Sequence, residues 1–255
     1  MRYVLKFIQL LYVTWFGIIF IGFLLLIFPL VIIASFFGKV KGGNFIYRLC
    51  RIWAAVVLGL SGIFHRNIYA SPHDRKKQYV FVFNHISYLD IPVLMRSILR
   101  QKFRILGKSE LAKIPVFGFV YRNAVVLVNR ESTAARTKSV MQLKSVLKKD
   151  ISIAIAPEGT FNVTSQPLAD FYDGAFRIAI ETQTPIKPLL LLDTFDRLHY
   201  GSILSMTPGR SRTVFLEEID VRNYTVANMG ELKAKVYESM KNALIQYKAS
   251  WIKNN

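Results

Sequence analysis

The residues best placed to do chemistry are His85 and Asp90, in the run Asn84-His85-Ile86-Ser87-Tyr88-Leu89-Asp90. This run follows the apolar stretch Tyr79-Val80-Phe81-Val82-Phe83, so the histidine leaves a buried strand and the carboxylate stands where a new helix begins. An imidazole titrates near neutral pH, and a carboxylate that fixes one ring nitrogen leaves the other free to take a proton from a hydroxyl. The pair therefore has the layout of an oriented general base. Ser87 and Asp90 also form an S-x-x-D capping box, which gives Asp90 a purely structural alternative. A second apolar run, 151–156, ends in Pro157-Glu158-Gly159-Thr160 and brings another carboxylate to a strand end.

The elements that must position these groups follow from the pattern beyond residue 62. Short β-rich runs at 63–69, 79–83, 103–106, 124–128, 151–156, 186–192 and 213–216 alternate with helical patterns at 88–99, 133–148 and 175–181. This alternation predicts an α/β layered domain over 63–255, with a mostly parallel sheet flanked by helices. In such sheets active groups gather where strands end, and His85, Arg130 and Glu158 all follow strand ends. A last helix is expected over 226–251, with Met229, Leu232, Val236, Met240, Leu244, Tyr247 and Trp251 as its core stripe.

Residues 1–62 have a different character. Residues 7–38 carry no charge, a run of about 48 Å as a helix against a hydrocarbon core of roughly 30 Å. It reads as a membrane-anchoring segment, with Pro29 a possible kink or point of return. Lys39, Lys41, Arg48 and Arg51 downstream outweigh Arg2 and Lys6 upstream, so the positive-inside rule puts the domain on the cytoplasmic side of the membrane. A second apolar segment, 45–64, carries Asn44, Arg48 and Arg51 on one side. It is expected at the membrane interface or packed on the first helix, with a core helix of the domain as the alternative.

The net charge of +18 is concentrated, since residues 64–150 hold 17 Lys or Arg against 5 Asp or Glu. A basic face of this size suits anionic lipid headgroups, a phosphate-bearing substrate or nucleic acid. The single cysteine, Cys50, excludes an internal disulfide and a multi-cysteine metal site. His65, His73 and His199 lack metal-ligand spacing, so no metal centre is expected. There is no GxSxG, and Lys102 stands where a P-loop before Gly107-Lys108-Ser109 would need its first glycine. Asn162-Val163-Thr164 and Asn223-Tyr224-Thr225 match glycosylation acceptors that a cytoplasmic domain leaves unused.

With both carboxylate blocks in view, the sequence resembles the PlsC-type glycerolipid acyltransferases, which include 1-acylglycerol-3-phosphate acyltransferases. Four blocks match in order: Asn84-His85 to Asp90, Val126-Leu127-Val128-Asn129-Arg130, Pro157-Glu158-Gly159-Thr160, and Pro185-Ile186-Lys187-Pro188. Gly107-Lys108-Ser109-Glu110-Leu111, Ile114-Pro115 and Gly118 are similar to the family's stretch between its first two blocks. The resemblance implies transfer of a fatty acyl group from a thioester, on coenzyme A or acyl carrier protein, to a lysolipid hydroxyl, with no cofactor beyond that cosubstrate. It implies His85 as base and Asp90 as its orienting carboxylate. Asn84, Glu158, Gly159 and Thr160 would sit at the substrate, Gly159 through backbone N–H groups near the thioester oxygen, and Arg130 would hold the acceptor's phosphate. One departure stands out. The family commonly continues its third block as Glu-Gly-Thr-Arg-Ser, whereas this chain has Phe161-Asn162. Arg177 and Lys187 are the cations expected to replace the missing guanidinium. The acceptor is read as 1-acylglycerol-3-phosphate, with a lyso amino-acid lipid as runner-up. A non-catalytic basic adaptor on anionic lipid is a third reading that the ordered blocks argue against, and no nucleic-acid partner is expected.

Overall fold

The computed structural model describes residues 2–128 and 133–253. Along the chain run α1 (Arg2–Ser35), α2 (Gly43–Leu60), β1 (Ile63–Tyr69), β2 (Val80–Phe83), α3 (Asp90–Ser97), β3 (Phe103–Lys108), α4 (Phe117–Ala124) and β4 (Val126–Val128). They are followed by α5 (Thr133–Leu147), β5 (Ser152–Ile155), α6 (Gly174–Thr182), β6 (Ile186–Leu191), α7 (Thr194–Arg197), β7 (Gly209–Phe215) and α8 (Met229–Gln246). The strands form one sheet in the order β1-β7-β6-β2-β5-β3-β4. All neighbours are parallel except β6 and β7, so β1 and β7 run as a reversed pair at one edge. The sequence predicts the mostly parallel sheet but not that reversal, because strand direction follows from which distant segments meet.

Helices cover both faces, which is why β2, β5 and β6 are buried at every position. Tyr79, Phe81, Phe83, Leu189 and Leu191 face the core shared with α1, α2 and α3. Val80, Val82, Ile153, Ile155 and Leu190 alternate to the opposite core, shared with α5, α6 and α8. Leu232, Val236, Met240 and Leu244 of α8 are fully buried, as their spacing predicts. That helix stops at Gln246, short of the expected end. Just beyond it Lys248 turns to φ 52° and the Ala249 N–H closes on Leu244 O.

At the N-terminus α1 is one helix that passes through Pro29. The chain reverses after it, at 36–42, where Gly42 lies so close to Ala34 that a Cβ would fall 2.0 Å from the Ala34 carbonyl oxygen. Two helical stretches, Tyr3–Ser35 and Gly38–Leu60, are long and apolar enough to cross a membrane. Phe16, Ile27 and Val31 of α1 pack inward, while Leu10, Ile18, Leu26 and Ile33 are exposed. α2 satisfies two expectations together, because it packs on α1 and also buries Ile46, Tyr47, Ala54, Val57 and Leu58 in the core beside the sheet. Arg51 and Asn44 of α2 turn to the domain, donating to Gln101 O and accepting from Arg104 Nη2 respectively. α1 is docked along its length: Gln9 donates to Met206 O, Tyr12 OH to Ser61 O at 2.6 Å, and Phe28 meets the Phe119 ring edge-on at 5.7 Å.

Candidate active site

Adjacent strands β2 and β5 send their chains to opposite faces of the sheet, β2 into α3 and β5 towards α6. The gap beyond their carboxyl ends is a topological switch point, where ligands bind in open α/β sheets. His85 follows one of these strands and Glu158 the other. Asn84 fixes the exit of β2: its amide donates to Leu191 O at 3.1 Å and accepts from Leu191 N–H at 2.8 Å, stitching β2 to β6 beyond the ladder. Expected at the substrate, Asn84 is instead buried and engaged with backbone, and it acts on substrate only by holding His85 in place.

The imidazole Nδ1 of His85 lies 2.8 Å from Asp90 Oδ2. Asp90 is 0% exposed, and the same oxygen accepts the N–H groups of Ile86 at 2.7 Å and Ser87 at 2.8 Å. A carboxylate flanked by donors accepts here, so the proton sits on Nδ1 and Nε2 presents its lone pair outward. Of the S-x-x-D capping box only the Ser87 N–H to Asp90 bond forms, and the helix itself has Leu89, not Ser87, at its N-cap. Ser87 Oγ accepts from Leu89 N–H and donates to Leu198 O at 2.6 Å, tying this turn to the segment after α7.

After β5, a turn closed by Gly159 N–H on Ala156 O at 3.1 Å points Glu158 inward. Gly159 has φ +71°, a conformation that favours glycine. Its N–H closes the turn, so the expected role of this group at the thioester oxygen is not the arrangement seen. Glu158 Oε1 accepts from His85 N–H and Oε2 from Ala169 N–H, both at 2.8 Å, and His85 O accepts from Asn162 N–H at 2.8 Å. The two carboxylate blocks are thus joined by backbone on both sides of His85. Asn162 is buried, with its amide donating to Gln166 O and accepting from Thr164, a placement that shields this glycosylation motif. Thr160 is exposed between Gly159 and Phe161.

Burial pushes the Glu158 carboxyl from 4.5 up to about 7, against the pull of its two N–H donors and with the Asp90 charge adding to the rise. A raised carboxyl favours the folded state most below its ordinary range, and this contribution is lost as pH rises through about 7. The melting temperature of the wild type relative to Glu158→Gln should therefore fall from about pH 5 to about pH 8. A difference that is flat with pH would contradict this.

Other expected residues fall elsewhere. Lys187 is 0% exposed, and its ammonium donates to Ser71 Oγ at 3.1 Å and Pro72 O at 2.9 Å, groups in the segment that leads into β2. In register it pairs with Phe81, upstream of the His85 end. Arg177 is on the exposed side of α6, 3.8 Å from Glu181, which also pairs with Lys144 of α5. Neither cation takes the place of the missing guanidinium. Arg130 lies outside the described residues. What the sequence missed is the role of Phe161 itself: its ring packs on His85 at 4.4 Å between centroids, meets Tyr88 edge-on at 4.9 Å and stacks with Tyr200 at 6.3 Å. An aromatic rim stands where the family pattern has a charge.

A family model described as Acyltransferase matches residues 64–191, half of the chain. The chain belongs to the acyltransferase family. Among relatives, it is 27% identical over 188 residues to the 1-acyl-sn-glycerol-3-phosphate acyltransferase of Haemophilus influenzae, covering 72% of this chain and 76% of that protein. It is 27% identical to an acyltransferase of Schizosaccharomyces pombe over 68% of this chain and 62% of that one. The chain spans under two thirds of the length of the fission-yeast, algal and Arabidopsis relatives it matches. In structure it is similar to the 1-acyl-sn-glycerophosphate acyltransferase PlsC of Thermotoga maritima, with a TM-score of 0.77 over 99% of this chain and 100% of that one, at 22% identity. That likeness is one of fold. It covers the two N-terminal helices as well as the layered domain that carries the family's first and third blocks.

Proposed function

We propose that the chain transfers a fatty acyl group from a thioester to the free hydroxyl of 1-acylglycerol-3-phosphate, forming phosphatidic acid in phospholipid biosynthesis. The observation that carries this is His85, held through Nδ1 by a buried carboxylate, with its imidazole side chain 22% exposed at the carboxyl end of β2. Nε2 takes the hydroxyl proton as the oxygen attacks the thioester carbonyl, and Asp90 stabilises the imidazolium. The new ester forms as the C–S bond breaks. A thiol has a pKa of about 8.5, so the thiolate leaves readily, no acyl-enzyme is required, and the imidazolium returns the proton to sulfur. Acyl-CoA and acyl carrier protein thioesters both satisfy this chemistry.

The acceptor assignment draws on the relatives' names and on the basic surroundings of the site. With Arg177 and Lys187 elsewhere, Arg130 carries the expected phosphate contact. Phe161 favours the runner-up, a lyso amino-acid lipid, because an aromatic ring beside the base suits an acceptor with less negative charge. Turnover with a panel of both acceptors separates the readings. Arg130→Ala should raise the KM for 1-acylglycerol-3-phosphate about tenfold, the loss of one charge-assisted contact, and leave the thioester KM unchanged. Equal effects on phosphate-bearing and phosphate-free lysolipids would defeat the assignment, and faster acylation of the amino-acid lipid by the wild type would establish the runner-up.

The two apolar helices supply the membrane contact. Gln9 and Phe28 of α1 both touch the layered domain, although they are 19 residues and so about 28 Å apart along the helix. A helix docked at both ends lies alongside the domain, so the hairpin is read as immersed in the cytoplasmic face of the bilayer rather than standing across it. Lysolipid then reaches His85 without leaving the membrane surface.

A further inference from the structure

A groove of about 350 Å³ opens at the end of the sheet away from His85, below the start of β4. Its walls come from the α1–α2 turn, the end of α4 and the last turns of α5. Val40, Val125, Val146 and Ile151 give it an apolar floor, and its cations are Lys39, Arg104, Arg122 and Lys149. Among the described residues no Asp or Glu lines it.

Arg104 is the most telling of these residues. It is 5% exposed, and its guanidinium donates only to neutral acceptors: Phe103 O at 2.9 Å, Lys39 O at 3.2 Å and Asn44 Oδ1 at 2.8 Å. Among the described residues it has no carboxylate partner. The face of the Tyr47 ring, 4.9 Å from the guanidinium, offsets part of the cost of burying this cation but supplies no full counter-charge, and three more cations around the same opening raise that cost. An anion seated there would relieve it.

Position decides which anion. The groove adjoins the turn between the two membrane-length helices, where Phe36 and Phe37 are exposed beside Lys39 and Lys41. On the reading that the hairpin lies in the membrane surface, an apolar floor with a cationic rim beside its turn matches a phosphate group with an acyl chain attached. The geometry points to a binding site for an intact anionic phospholipid of the bilayer, separate from the catalytic site. Arg104 pairs with Ile153, which pairs with Val80, five residues before His85. That is about 16 Å along extended chain, too far for one headgroup to serve both places. Such a lipid would fasten the hairpin end of the domain to an anionic membrane while the other end of the sheet works on substrate.

Native mass spectrometry of the full chain in neutral detergent, titrated with dioctanoyl phosphatidylglycerol, tests this without turnover, so failure here leaves the acyl-transfer reading intact. Arg122→Glu combined with Lys149→Glu should weaken binding of one lipid by at least roughly 30-fold, about fivefold for each of the two cations lost near a headgroup, with the two new negative charges adding to the loss. Val146→Trp, which fills the floor and keeps every charge, should remove the same lipid, while Lys235→Glu on α8 with Lys248→Glu just after it should not. Melting curves establish that each variant is folded. Equal loss in the α8 pair, or wild-type binding by Val146→Trp, would overturn the site in favour of diffuse surface charge. Displacement of the lipid by equimolar inorganic phosphate would show a free-anion site instead. Lipid binding unchanged in the Arg122→Glu, Lys149→Glu variant would also overturn the proposal.

Discussion

His85→Ala should lower turnover by roughly 10² to 10⁴, the scale of a lost general base, while the protein stays folded. The imidazole side chain is 22% exposed and its polar contact is the one to Asp90, so its removal leaves the backbone bonds of Glu158 and Asn162 around position 85 in place. Turnover number and KM together distinguish catalysis from structure. The loss should appear in kcat with acceptor and thioester KM little changed. Activity within a few fold of the wild type would remove His85 from the mechanism.

Asp90 should respond differently to two substitutions. Asp90→Ala leaves three donors facing its former oxygen, the N–H groups of Ile86 and Ser87 and the ring of His85. At about 1 to 3 kcal/mol for each buried donor left unpaired, this variant should lose much of its stability as well as its turnover. Asp90→Asn can keep its carbonyl oxygen where Oδ2 lies and so keep all three donors satisfied, but it has no charge to stabilise the imidazolium. Its NH2 takes the place of Oδ1, which is buried with no hydrogen-bond partner among the described residues, so the variant should melt below the wild type but well above Asp90→Ala, and turn over roughly 10²-fold more slowly. Urea midpoints measured beside turnover for both variants check this. A stability loss with unchanged specific activity in Asp90→Asn would reduce Asp90 to a helix cap.

The sequence reveals the site where the chemistry is local. The five-residue step from His85 to Asp90 predicts the contact observed at 2.8 Å, and apolar runs ended by Asn84 and Pro157 predict β2 and β5 to within a residue or two. It fails where position depends on register or on distant packing. Lys187 lies in a matching block of its own, as the catalytic residues do in theirs, yet its pairing with Phe81 puts it well before the His85 end of the sheet. Arg177 falls on the exposed side of its helix because Phe176, Ile178 and Ala179 take the core side. α4 escapes the sequence reading because its eight residues, after Pro115 and with Gly118 inside, are too few to show helical periodicity. Phe161 reads in sequence as a missing charge, and its stacking on His85 becomes visible only once two strands that are neighbours in space are set side by side.

The most direct test of the account is to supply the purified full chain with an acyl thioester and 1-acylglycerol-3-phosphate in mixed micelles, and to follow thiol release and lipid product together. The account predicts phosphatidic acid and free thiol in equal amounts, no acyl group on the protein when acceptor is withheld, and both products formed roughly 10² to 10⁴ times more slowly with His85→Ala. Acyl transfer that persists near the wild-type rate without His85, or an acylated protein accumulating in the absence of acceptor, would contradict it.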